Sequence, residues 1–129
     1  MYQGGCHCGT IRYQIKKLAT TVMHCHCHTC RKTNAAPMVP TAGVTPADLT
    51  WLQGKDQLTE YRSSENKSRY FCRHCGCHIY ALRDNAPYIV LRVATLDELP
   101  ETRCINIWLN QRLEGLEYGD QLENYQEMP

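Results

Sequence analysis

Eight of the nine cysteines in this chain fall into three short stations, Cys6/Cys8, Cys25/Cys27/Cys30 and Cys72/Cys75/Cys77. Such C-x-C and C-x-x-C spacings bring two thiols to one ion more readily than they cross-link a fold, and an odd cysteine count rules out complete disulfide pairing within one chain. Metal chelation is the reading to pursue. Cys72-Arg73-His74-Cys75-Gly76 has the form of a zinc knuckle: the two intervening residues make a tight turn, and the glycine after it tolerates the positive φ such turns need. A tetrahedral structural zinc needs two more ligands, and Cys6-His7-Cys8-Gly9 supplies a second chelating pair that also ends in glycine. Pairing the two stations ties the start of the chain to its middle. Structural zinc contributes roughly 10–16 kcal/mol in model peptides, which rivals a whole domain's stability of roughly 5–15 kcal/mol.

The middle station, Cys25-His26-Cys27-His28-Thr29-Cys30, offers three sulfurs within six residues. Three protein ligands and an open fourth position characterise catalytic rather than structural zinc; the alternative is that His24, His26, His28, Cys77 or Cys104 closes the site. Three thiolates leave Zn²⁺ with a formal charge of −1, a weak Lewis acid that does little to activate water. A soft thiol substrate suits it better and would bind as the thiolate. That chemistry is the making or breaking of carbon–sulfur bonds at a carbonyl carbon.

The elements that carry these stations read as strands. Thr10 to Ile15 alternates apolar and polar residues at period two, and Thr20 to Met23 returns as another strand. Leu58 to Arg62 and Ser68 to Cys72 flank a polar turn at residues 63–66, and Ile79 to Leu82 follows the third station. Asp84-Asn85-Ala86-Pro87 is a turn before Tyr88 to Val93, the most apolar strand candidate, and Cys104 to Leu109 is a further one. Thr45-Pro46-Ala47-Asp48 has the cap, proline and acidic residue of a short helix start. Many short strands separated by turns predict layered β-sheets. The tail from Gln111 to Pro129 is polar.

At 129 residues the chain suits one domain over its whole length, 1–129, and 43% apolar residues suffice for a folded core. The formal charge of +1 comes with no basic block, which argues against nucleic-acid binding. Filling both sites would take it to about −2, because each ligand cysteine gives up a proton. No apolar run spans a bilayer and the first residues do not form a signal peptide, so the expectation is a cytoplasmic protein that does not insert in membranes.

Gly5-Cys6-His7-Cys8-Gly9 followed by a strand, Cys25-His26-Cys27 with Cys30-Arg31-Lys32, Phe71-Cys72-Arg73-His74-Cys75-Gly76, and Ala94-Thr95-Leu96-Asp97 occur in order across roughly residues 4–100. In this pattern the chain resembles the glutathione-dependent formaldehyde-activating enzyme family, also called the centromere protein V-like family. The resemblance implies a mostly β, Mss4-like (β-tent) fold with two Zn²⁺ per chain. It implies a structural zinc on Cys6, Cys8, Cys72 and Cys75 and a catalytic zinc on Cys25, Cys27 and Cys30. The implied activity is that of a carbon–sulfur lyase, joining glutathione and formaldehyde as S-hydroxymethylglutathione or releasing them. The alternative function is a non-catalytic, zinc-stabilised module that binds a protein or a small thiol. Departures from the family pattern are Ala35 for the usual Gly, Cys77 for Ser, Cys104 near a frequent His, and Asn110-Gln111-Arg112-Leu113 for a Lys-Pro-Trp-like stretch.

Among the remaining residues, Cys77 and Cys104 read as small apolar core residues. His7, His26 and His74 sit between ligands and should point away from the ions, whereas His24 and His28 are placed to approach the middle site. Arg31 and Lys32 read as a solvated face rather than carboxylate anchors. Trp51, Tyr80, Tyr88 and Trp108 read as packing residues. No catalytic side chain beyond the metal ligands is identified.

Overall fold

Ile11, Tyr13 and Ile15, the apolar positions of the first alternating run, are fully buried in the computed structural model, which describes residues 1–129. They lie on or beside β2 (Arg12–Ile15), the middle strand of a three-stranded antiparallel sheet with β1 (Tyr2–Gly5) and β5 (Leu49–Gln53). The second sheet has seven strands. Its order is β10 (Cys104–Ile107), β3 (Val22–Cys25), β4 (Val39–Val44), β9 (Ile89–Arg92), β8 (His78–Arg83), β7 (Lys67–Cys72) and β6 (Leu58–Ser64). All neighbours in it are antiparallel except β10 and β3, which run parallel. The expected architecture, mostly β with layered sheets and short helical turns, is the one found.

The core forms where the two sheets face each other: Ile11, Tyr13 and Ile15 of the small sheet meet Val44, Ile79 and Leu91 of the large one. Burial of such side chains stabilises by about 1.5–3 kcal/mol each. Tyr13 satisfies its buried hydroxyl on Thr95 Oγ1 at 2.7 Å. Trp51 joins the layers, its ring centroid 6.0 Å from that of Tyr13 and 5.9 Å from that of Tyr80. Tyr88 lies over Gly43, where a Cβ would come within 2.9 Å of the ring. These three aromatic residues pack as their sequence context indicates.

Trp108 and Cys104 do not. Trp108 is 55% exposed in a left-handed backbone conformation, φ 58°. Cys104 is exposed on β10, the edge strand of the seven-stranded sheet. Cys77 is half-buried against the core, closer to the role expected of it.

Four elements escape the strand pattern, among them β5, which directly follows the Thr45 turn. β4 (Val-Pro-Thr-Ala-Gly-Val) contains Pro40 and Gly43, both poor strand formers, yet it is almost wholly buried between β3 and β9. β1 carries Gly4 and Gly5 and has no apolar alternation. The seven-residue helix α1 (His28–Asn34) is built from residues of middling helix propensity and is too short to show a periodic face. The Thr45 helix start is realised as a single 3-10 turn, Pro46–Asp48, with the Thr45 hydroxyl on the Asp48 carboxylate at 2.8 Å. No helix is long and apolar enough to cross a membrane.

Candidate metal centres

Cys6 follows β1 and Cys8 lies in the turn before β2; Cys72 ends β7 and Cys75 lies in the turn before β8. Both turns close through backbone hydrogen bonds, Gly9 N–H to Cys6 O at 3.1 Å and Gly76 N–H to Cys72 O at 2.9 Å. The two glycines have φ of 81° and 76° with open space around them, so it is the left-handed backbone and not crowding that calls for glycine. The pairing of sheets then brings residues 64 apart together, with Cys6 Sγ to Cys8 Sγ at 3.5 Å and Cys8 Sγ to Cys72 Sγ at 3.8 Å. All four sulfurs, Cys75 included, lie within 4.8 Å of one another. Four sulfurs each about 2.3 Å from one ion sit about 3.8 Å apart at the corners of a tetrahedron. The spacing fits a bound metal and is far from a disulfide's ~2.05 Å. The Ile11 N–H points at Cys6 Sγ at 3.2 Å, and the Thr10 side chain lowers the Cys8 thiol to about 6. Burial pushes Cys72 up to about 11. His74 turns outward to Gln57 Oε1 at 2.8 Å and His7 is exposed, as expected of residues between ligands.

Cys25, Cys27 and Cys30 form the second cluster, again within 4.8 Å of one another. Cys25 ends β3, Cys27 caps α1 and Cys30 lies in its first turn, so one strand-to-helix junction aims all three sulfurs at one point. Cys27 Sγ accepts the Cys30 N–H at 3.3 Å. His26 points away, buried, with Nε2 on Asn106 Oδ1 at 3.0 Å. No fourth His, Cys, Asp or Glu joins the cluster, and neither Cys77 nor Cys104 belongs to it.

The second cluster opens into a cavity of about 350 Å³, within the usual range of small-ligand sites. Period-two alternation supplies its floor: Met23 and Cys25 of β3, Val90 and Arg92 of β9, and Lys67 and Arg69 of β7 all project into it. Ile107 at the end of the edge strand β10, with Trp108 and Gln111 just after it, adds to the lining. Neither His24 nor His28 lines the cavity: His24 sits on β3 between two cavity-facing residues, and His28 is exposed with its N–H on Gln111 Oε1 at 2.9 Å. Four cations line it, Lys67, Arg69, Arg83 and Arg92, and no carboxylate does. Arg69 Nη1 approaches Cys30 Sγ at 3.7 Å. A hydrogen bond with Cys25 holds the Cys30 thiol down to about 4, with support from the charges of Arg92 and Arg69, and Cys25 is driven up in consequence.

The family model of the glutathione-dependent formaldehyde-activating enzyme matches residues 1–111, which includes every cysteine described above. The chain belongs to that family. A Schizosaccharomyces pombe protein described as an uncharacterized lyase is 24% identical over 123 residues, 94% of this chain and 77% of the relative. A crystal structure of a Rhodobacter sphaeroides protein superposes with a TM-score of 0.63 at 25% identity, covering 80% of this chain and 99% of that one.

The positions at which the sequence reading expects departures from the family pattern have definite places in the fold. Ala35 is the C-cap of α1 in the left-handed region, φ 48°. Asn110 and Gln111 belong to the 3-10 turn Leu109–Gln111, whose Gln111 side chain anchors α1 beside the cavity. Arg31 and Lys32 do not line the cavity; Lys32 is exposed, as a solvated face requires, whereas Arg31 is half-buried with its Nε enclosed and without a hydrogen-bond partner. The four lining cations escaped the sequence reading, although one signal was present. Arg92 is the single charge in the most apolar strand, and a lone cation in a strand expected to be buried asks for a partner.

Proposed function

We propose that this protein is a zinc-dependent enzyme of the carbon–sulfur lyase type, acting on the adduct of a thiol, glutathione first, with an aldehyde such as formaldehyde. In this reading residues 1–129 act as one domain holding two Zn²⁺, a structural ion on Cys6, Cys8, Cys72 and Cys75 and a catalytic ion on Cys25, Cys27 and Cys30. One observation carries it: the four-sulfur cluster is complete in itself, whereas the three-sulfur cluster opens into a cavity of ligand size. Zn²⁺ held by those three sulfurs would supply a soft Lewis acid able to take a substrate thiol as its thiolate near neutral pH. The family to which the chain belongs and the lyase description of its yeast relative support the same class.

In the forward direction the substrate sulfur forms a bond to the aldehyde carbon, and the carbonyl oxygen takes up a proton to become a hydroxyl. The reverse breaks that carbon–sulfur bond and returns the proton. The chain's own part is to orient and to shield. Cys27 and Cys30 are held by α1, Arg69 donates toward Cys30 Sγ, and Ile107 and Trp108 wall the cavity with apolar surface.

Replacement of the metal by Co²⁺ tests the proposal. Glutathione added to the Co²⁺ protein should shift the visible d–d bands of one of the two ions; bands that do not respond would replace the enzyme with a closed binding module.

A further inference from the structure

We propose that the cavity beside Cys25, Cys27 and Cys30 contains an anion subsite, built by Arg69 and Arg92 with the more exposed Lys67 and Arg83, that binds a carboxylate of the substrate. The inference deepens the thiol–aldehyde reading and rests on it for the identity of the ligand.

Three observations point the same way. Arg92 is 3% exposed, yet its Nε, Nη1 and Nη2 all lack a hydrogen-bond partner within the chain. A buried guanidinium without partners is costly, and its planar fork matches a carboxylate through two parallel hydrogen bonds. None of the four cations forms an ion pair: the chain's salt bridges are Arg12 with Asp97, Arg62 with Asp84 and Arg112 with Glu114, all elsewhere. The third observation is the charge count. Three thiolates and one Zn²⁺ carry a formal −1, which Arg69 balances through its contact with Cys30 Sγ. Three positive charges remain around a cavity with no acidic lining residue. That excess exceeds what the metal ligands need and suits a substrate bearing carboxylates. Arg69 is itself 2% exposed and fixed by Nε on Ser63 Oγ at 2.9 Å, so the subsite is preorganised rather than assembled from mobile surface side chains.

The test uses zinc-loaded protein and a probe without a free thiol, S-methylglutathione, compared with its dimethyl ester by isothermal titration calorimetry. The acid should bind about tenfold or more tightly than the diester, the worth of one or two charge-assisted hydrogen bonds. Raising the salt concentration should narrow that gap, and Arg83→Ala and Arg92→Met should each reduce affinity for the acid while leaving the diester unchanged. Equal affinity of acid and diester, or no binding of either, overturns the subsite. If Arg92→Met does not fold, the wild-type comparison and Arg83→Ala, at an exposed position, still decide. The two readings fail separately: equal binding of acid and diester alongside a cobalt spectrum that responds to glutathione removes the subsite and keeps the thiol chemistry. Preference for the acid with a silent cobalt spectrum does the reverse.

Discussion

Cys27 has two tasks that one substitution separates. Its sulfur belongs to the three-cysteine cluster, and the same sulfur caps α1 by accepting the Cys30 N–H. Serine is among the best capping residues, so Cys27→Ser should keep the helix while removing a soft metal ligand. The expected outcome is a folded protein with one zinc instead of two by elemental analysis, a thermal midpoint little changed, and lost activity. Cys75→Ser removes a corner of a site that ties residue 6 to residue 75, and should unfold or aggregate the chain. The reason is magnitude: structural zinc is worth roughly 10–16 kcal/mol against a whole-domain stability of roughly 5–15 kcal/mol. Equal damage from the two substitutions would refute the division of roles. The cysteine stations were legible in the sequence because C-x-C and C-x-x-C spacings bring sulfurs together locally, whereas the meeting of Cys6 and Cys8 with Cys72 and Cys75 is the work of the sheets. The histidines are less legible: residue order makes His24 and His28 better placed than the others to approach the middle site, but a strand sends neighbouring side chains to opposite faces, and Met23 and Cys25 take the cavity side.

Helix α1 shows what one turn of backbone decides. It ends at Ala35 in the left-handed region, φ 48° and ψ 45°, with its N–H returned to Arg31 O. Alanine resists that conformation and glycine does not, so Ala35→Gly should stabilise the protein by about 1 kcal/mol. Ala35 is exposed, and no packing is lost in exchange. Thermal unfolding of zinc-loaded protein should show a midpoint higher by a few degrees, about 3–6 °C; a fall would show that the methyl group has a role the cap geometry does not reveal. Strands with clear alternation, such as β2, or with a continuous apolar run, such as β9, were readable from residue order. β4 was not, because its stability comes from neighbours on both sides, which override the poor strand propensity of Pro40 and Gly43.

At the scale of the molecule, the two sheets close on one core while the chain's end stands apart from it. Every residue from Arg112 to Pro129 is exposed, none lies in a strand or helix, and the family match stops at residue 111. Deleting residues 113–129 should therefore leave zinc content unchanged and the thermal midpoint within about 2 °C. A larger loss would mean that the exposed Leu116, Tyr118 and Tyr125 of the tail have a partner that holds the fold. The donor atoms, their division into stations and the β character of the chain could be read in residue order, since each depends on neighbours within a few positions. The charge of the cavity could not. Arg69, Arg92 and Cys30 lie on different elements, and they share one cavity because of the strand order β9-β8-β7 and the registers that align Arg69 with Ala81 and Ala81 with Val90. Strand pairing of that kind is a long-range outcome, settled by which apolar faces the sheets bury against each other.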